Sequence, residues 1–108
     1  NVMENDFDFT GIVCVSDIVA LGVMKYAKRH GKNIPRDFSI TGSDSLEITD
    51  HIGIELTTVG QPSYEIGKQA TEIIIDKIKK NDLTNNESRI LEYYFVIRKS
   101  CRDINSVL

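Results

Sequence analysis

At 108 residues the chain has room for one small domain with a modest core, and 41% hydrophobic with 27% charged residues excludes the disordered and fibrous classes. A formal charge of -3 and a sequence pI near 5.3 leave no basic footprint for a phosphate backbone, so the chain by itself is not expected to hold DNA. No apolar stretch approaches the ~20 residues that cross a bilayer, and Asn1–Phe9 is acidic where a signal peptide is positive and then apolar, so a cytoplasmic chain with no membrane partner is expected.

The chain reads as alternating strands and helices. Gly11-Ile12-Val13-Cys14-Val15-Ser16 is apolar and rich in β-branched residues, the pattern of a strand covered on both faces, which predicts a parallel sheet. Ser16-Asp17 then supplies N-cap chemistry for a helix over Ile18–His30, with Lys28, Arg29 and His30 in its last turn and Gly31 just beyond. Ala20, Val23, Met24 and Ala27 form its inner face, and small Ala20 and Gly22 predict a close approach to the sheet.

After the loop containing Pro35, residues Asp37–Gly42 predict a second strand and complete a βαβ unit of about thirty residues. Gly42-Ser43-Asp44-Ser45 reads as its break. Residues Leu46–Glu55 show no clean period and predict a loop with one short helical turn, followed by a strand at Leu56–Val59 that Gly60-Gln61-Pro62 ends. A second helix is predicted over Tyr64–Lys80, where Ile66, Ala70, Ile73, Ile74 and Ile78 mark one stripe and Lys77, Lys79 and Lys80 crowd the C-terminal end. Asn81–Ser88 is polar and turn-rich, Arg89–Arg98 returns to strand character, and Lys99–Leu108 reads as a frayed tail. The fold class is therefore α/β, with Rossmann-like parallel βαβ architecture.

Catalytic chemistry is hard to find in this pattern. A glycine-rich phosphate loop is missing after the first strand, where Val15-Ser16-Asp17 stands instead, and there is no Gly-x-Ser-x-Gly elbow. Cys14 and Cys101 lie far apart without metal-ligand spacing and read as a buried strand thiol and an ordinary surface thiol. His30 in a helix end and His51 in a polar loop read as structural or solvated before functional. No catalytic residue, metal site or cofactor is expected, and the chain is not expected to be an enzyme. Asp17 stands out by position, because ligands of open α/β sheets bind outside the carboxyl ends of the strands. A carboxylate there accepts hydroxyl hydrogen bonds from a sugar, or merely caps the helix; position alone leaves the two readings even.

Four segments follow in order and spacing: Ser16-Asp17-Ile18-Val19-Ala20-Leu21-Gly22, then Gly31–Asp44 with its Pro35-Arg36-Asp37-Phe38-Ser39, then Leu56-Thr57-Thr58-Val59-Gly60-Gln61-Pro62 with Gly67 and Ala70, and Ile97-Arg98-Lys99-Ser100. Together they resemble the lactose-repressor/galactose-repressor family over residues 11–101. The resemblance implies that residues 1–108 are the C-terminal part of a periplasmic-binding-protein-like effector domain, roughly the last third of a sugar-responsive transcription repressor. Residues 11–56 and 89–101 would belong to its C-terminal lobe, and 57–80 would form the crossover and a helix of the N-terminal lobe. Operator DNA would be bound only through an N-terminal helix-turn-helix outside this chain, and the partners would be a sugar or sugar phosphate and a second copy in a homodimer.

The resemblance also assigns site residues. The family's motif Asp-x-x-Ala-x-Gly falls on Asp17, Ala20 and Gly22, which implies that Asp17 is an effector ligand with Ser16 beside it; Gln61, Ser63 and Ile66 match positions that line the cleft in some members. Ser43 departs from the family's usual Phe or Tyr and Ser45 from a common second Asp, near the family's dimer interface. Two rivals share the architecture. A solute-binding protein of a sugar transporter has the same cleft, and an α/β enzyme fragment would need a nucleophile or metal set not found here. The stripe on the second helix predicts a dimer or higher oligomer.

Overall fold

The computed structural model describes residues 9–51, 53–81, 84 and 86–105. In chain order the elements are β1 (Gly11–Val13), α1 (Asp17–Arg29), β2 (Ser39–Asp44), α2 (Glu47–His51), β3 (Thr57–Gly60), α3 (Ser63–Lys80) and β4 (Tyr94–Val96). The strands form one sheet in the order β1-β2-β3-β4, with β1 and β2 parallel at Ile12 opposite Ile40, and β2 and β3 parallel at Gly42 opposite Thr58. The chain divides into two compact units, one running up to Gly60 and resuming at Phe95, the other Gln61–Tyr94.

In the first unit the core is Cys14, Ala20, Ile40 and Leu56, with Ile12, Val23, Met24, Ile34 and Ile54 packed against it. Helix α1 starts where the sequence predicts because Ser16 is extended and its Oγ accepts the Val19 N–H at 3.4 Å, satisfying one orphan donor of the first turn. It ends where His30 stacks on Tyr26, ring centroids 3.9 Å apart, and Gly31 turns the chain at φ +69, a conformation a side chain disfavours. Ala20 and Ala27 are fully buried, so α1 approaches the sheet on methyl groups. Gly22 takes no part in that approach: it is exposed, with nothing within 4 Å of where a Cβ would stand, because it falls on the opposite face of the helix.

Three other expectations are corrected. Strand β1 is shorter than Gly11–Ser16 and is covered on one face only. Ile12 and Cys14 point into the core, while Val13 and Val15 remain 86% and 83% exposed because nothing among the described residues covers that face. Strand β2 lies two residues later than Asp37–Gly42, with Gly42 buried inside it and the break at Asp44 and Ser45. The segment after Arg98 is not frayed. Ser100 is buried, its Oγ donates to the Ile40 carbonyl at 2.7 Å and accepts the Thr57 N–H at 2.7 Å, and its backbone bonds Glu55 and Ile40. Residues 82, 83 and 85 of the Asn81–Ser88 loop and residues 106–108 of the tail lie outside the described residues.

In the second unit α3 runs to Asn81, which closes it in the left-handed conformation at φ 50. None of its side chains is fully buried, so the predicted stripe is largely open to solvent. Its polar side is laced by Lys68–Glu65 and Lys80–Asp76 pairs, and Arg89 reaches Glu87 at 2.8 Å and Glu72 at 3.2 Å. The hydrogen bonds that Arg89 donates to the Glu87 carboxylate, and then to Glu72, hold its guanidinium still more firmly in the charged form.

Candidate functional site

Parallel pairing places the carboxyl ends of β1, β2 and β3 along one edge of the first unit: β1 ends at Val13 and leads through Cys14 and Val15 to Ser16, β2 ends at Asp44, and β3 ends at Gly60 opposite Asp44. Asp44 and Ser45 adopt φ 107 and φ 54, two consecutive side-chain-bearing residues in a region that such residues avoid, at a cost of about 1–3 kcal/mol each. Strain of this kind persists only where surrounding structure over-determines it.

One source of that determination is Asp17. The first residue of α1 is fully buried, and both carboxylate oxygens are engaged inside the fold. Oδ1 accepts the Thr58 hydroxyl hydrogen at 2.6 Å, and Oδ2 accepts the Leu46 N–H at 2.8 Å. A negative group in the first turn also meets the positive end of the helix dipole. Gly42 supplies the space: a Cβ there would overlap Asp17 Oδ1 and stand 3.0 Å from Leu56 Cδ2. This is the physical reason position 42 is glycine; β2 runs on past it because Gly42, Ser43 and Asp44 pair with Thr58, Val59 and Gly60 of β3.

The sequence-predicted site residues thus fall into different surroundings. Ser16 is half-buried at the carboxyl edge and caps α1. Asp17 sits behind that edge with its oxygens directed at Thr58 and Leu46, a geometry unlike the exposed acceptor that a direct sugar contact requires. In the second unit, Gln61 precedes α3 and its carbonyl accepts the Ser63 N–H at 2.8 Å; Ser63 is exposed, and Ile66 lines an open groove with Pro62, Ala70, Ile73 and Tyr93. Asp44 is the edge residue the sequence reading left unweighed. The rule that singled out Asp17, a carboxylate at a strand's carboxyl end, applies to Asp44 once β2 is extended past Gly42.

Among the described residues no three His, Cys, Asp or Glu side chains gather to hold a metal, and no helix is long and apolar enough to cross a membrane. Cys14 is buried, which pushes its thiol above the ordinary range, and Cys101 is half-buried with its Sγ donating to the Ile40 carbonyl at 3.3 Å.

In open parallel α/β sheets the edge at the carboxyl ends of the strands is where small molecules bind. The chain belongs to the periplasmic binding protein-like domain family, whose model matches residues 3–101. It is 38% identical over 93 residues to the HTH-type transcriptional repressor CytR of Escherichia coli K12, covering 86% of this chain and 27% of that protein. It is 36% identical over 106 residues to the repressor PurR of Vibrio atlanticus, covering 96% of this chain and 31% of that protein, so it spans less than a third of either relative. A crystal structure of a LacI family transcriptional regulator from Enterococcus faecium with bound ribose superimposes at a TM-score of 0.82 with 30% identity, covering 93% of this chain and 37% of that one. A periplasmic binding protein/LacI transcriptional regulator from Alkaliphilus metalliredigens complexed with D-xylulofuranose gives 0.77 with 28% identity, covering 94% and 40%.

Proposed function

We propose that this chain is part of the effector-binding domain of a LacI-type transcription repressor, and that it binds a small sugar or sugar phosphate at the carboxyl edge of β1, β2 and β3. The observation that carries the reading is the strained Asp44–Ser45 turn at that edge, beside the Ser16 end of β1. Asp44 and Ser16 supply the carboxylate and hydroxyl that recognise sugar hydroxyls. The repressor names of the relatives and the pentoses in two similar structures support the same reading. The first unit, up to Gly60 and from Phe95 on, belongs to one lobe, and Gln61–Tyr94 belong to the other.

The domain acts by binding, not by catalysis. Contact with operator DNA belongs to a helix-turn-helix elsewhere in the full-length protein, the working assembly is a homodimer, and the location is the cytoplasm. The test is calorimetric titration of the full-length protein with D-ribose and D-xylulose, wild type beside Asp44→Asn. Loss of one charge-assisted partner weakens binding about tenfold to a hundredfold. Saturable pentose binding that Asp44→Asn leaves untouched would remove the site from this edge, and the absence of any pentose binding would remove the pentose.

A further inference from the structure

We propose that Asp17 is the positioning residue of this effector site: it fixes the Asp44–Ser45 turn from behind and makes no contact with the effector. The inference rests on the reading of the carboxyl edge given above. Its basis is that one side chain bonds three separate pieces of the fold at a single point. Asp17 belongs to the first turn of α1, its Oδ1 is held by Thr58 of β3, and its Oδ2 holds the amide of Leu46, the residue that follows the turn. Leu46 is therefore anchored on the far side of Ser45, while on the near side β2 is anchored by its pairing to β3 up to Asp44 opposite Gly60. Asp44, at φ 107, is the last paired residue of β2, and Ser45, at φ 54, is held between it and Leu46. A turn clamped on both sides presents its carboxylate in one orientation, which lowers the ordering cost of binding.

The geometry also says why the contact is indirect. Asp17 is 0% exposed, and each oxygen already accepts a short hydrogen bond from a donor of the fold, so a sugar hydroxyl would first have to displace Thr58 or Leu46. A positioning role and a ligand role make opposite demands on the side chain. A ligand role needs the charge at the effector, whereas a positioning role needs an acceptor for the Leu46 N–H and a partner for the Thr58 hydroxyl. An asparagine meets the second demand, since its carbonyl accepts from Leu46 and its amide donates to the Thr58 oxygen.

The experiment compares Asp17→Ala, Asp17→Asn and Thr58→Val in the full-length protein by hydrogen exchange at the Leu46 amide and by D-ribose titration. Asp17→Ala is expected to lower Leu46 protection and ribose affinity together, each about tenfold or more, and Asp17→Asn to recover most of both. Thr58→Val, which keeps the volume and removes one tether, is expected to fall between them and serves if Asp17→Ala does not fold. An Asp17→Asn protein that keeps Leu46 protection but loses ribose as fully as Asp17→Ala overturns the inference in favour of direct contact. Loss of Leu46 protection with ribose affinity unchanged overturns it in favour of a purely structural carboxylate. A wild type that takes no ribose removes the pentose reading instead, and Leu46 protection alone then decides whether Asp17 holds the turn.

Discussion

Thr58 donates its hydroxyl hydrogen to Asp17 at 2.6 Å across 41 residues of sequence, with both side chains shut off from solvent. The bond joins the middle of β3 to the first turn of α1. Thr58→Val removes the donor without changing volume and leaves a buried carboxylate oxygen without that partner, a loss of about 1–3 kcal/mol. For a chain of this size that lowers Tm by roughly 4 °C or more. A thermal melt of Thr58→Val superimposable on the wild type would show that the oxygen finds another donor at no cost.

Two glycines separate conformational need from spatial need. Gly42→Ala drives a methyl group into Asp17 Oδ1 and against Leu56, so it is expected to destabilise by about 2 kcal/mol or more, through overpacking and loss of the carboxylate's geometry. Gly22→Ala sits on the open face of α1 with nothing to meet, and is expected to stabilise by about 0.5–1 kcal/mol through helix propensity alone. Urea midpoints of opposite sign for the two variants check both; a neutral Gly42→Ala would mean that Asp17 has room to retreat.

The two long helices were legible in the sequence nearly to the residue because their signals are local: the Ser16 cap, the basic last turns, Gly31, and the spacing of apolar residues along α3. The errors came where distant residues decide. Gly42-Ser43-Asp44-Ser45 reads as a break, yet the glycine is there because an Asp 25 residues earlier needs the space over its Cα hydrogens, and β2 continues through it by pairing with β3 up to Asp44 opposite Gly60, which makes Asp44 a strand-end carboxylate. The polar stretch Lys99–Asp103 carries no hydrophobic period, so nothing in it announces that Ser100 closes hydrogen bonds to both β2 and β3. Asp17 was found by position, but whether its oxygens face inward or outward depends on Thr58 and Leu46, which sequence spacing does not reveal.

Ser100→Ala tests that clasp. The substitution leaves the Thr57 N–H without its acceptor and the Ile40 carbonyl without that donor, at a cost of about 1–3 kcal/mol, and it should raise hydrogen exchange at Thr57 more than at the Val19 or Ala20 amides of α1. Equal exchange at all three sites would show that the clasp is not local to the sheet.

Burial pushes the Cys14 thiol above its ordinary range, so the folded state holds that proton more tightly than the unfolded chain does. Stability from this source is complete below the ordinary thiol range, near pH 8.5, and declines as pH rises from there through the raised value. Cys101, half-buried, is expected to react with iodoacetamide first at pH 8, and Cys14 only in step with unfolding. Comparable labelling rates in the native protein would show that the β1 end opens without global unfolding.

Helix α3 leaves Ile74 and Ile78 58% and 68% exposed, along with part of Ile66, an apolar row at four-residue spacing that water disfavours. The same helix alternates its charges, with Glu65 against Lys68 and Asp76 against Lys80, so an antiparallel second copy would meet acidic groups with basic ones. The groove between α1 and the loop after it differs: Leu21, Met24 and Ile34 are rimmed there by Lys25, Lys28 and Lys32, and a symmetric contact would set like charges together. The 108-residue chain is therefore expected to associate through α3 when no other segment covers it. Light scattering at high concentration should give a mass of at least a dimer, and Ile74→Glu should return it to a monomer with its melt intact, since no α3 side chain is fully buried. A monomeric wild type would show that the exposed stripe does not drive association, and an Ile74→Glu protein that stays associated at unchanged mass would place the contact elsewhere; for the α1 face the distinguishing sign is association that strengthens as salt screens the three lysines.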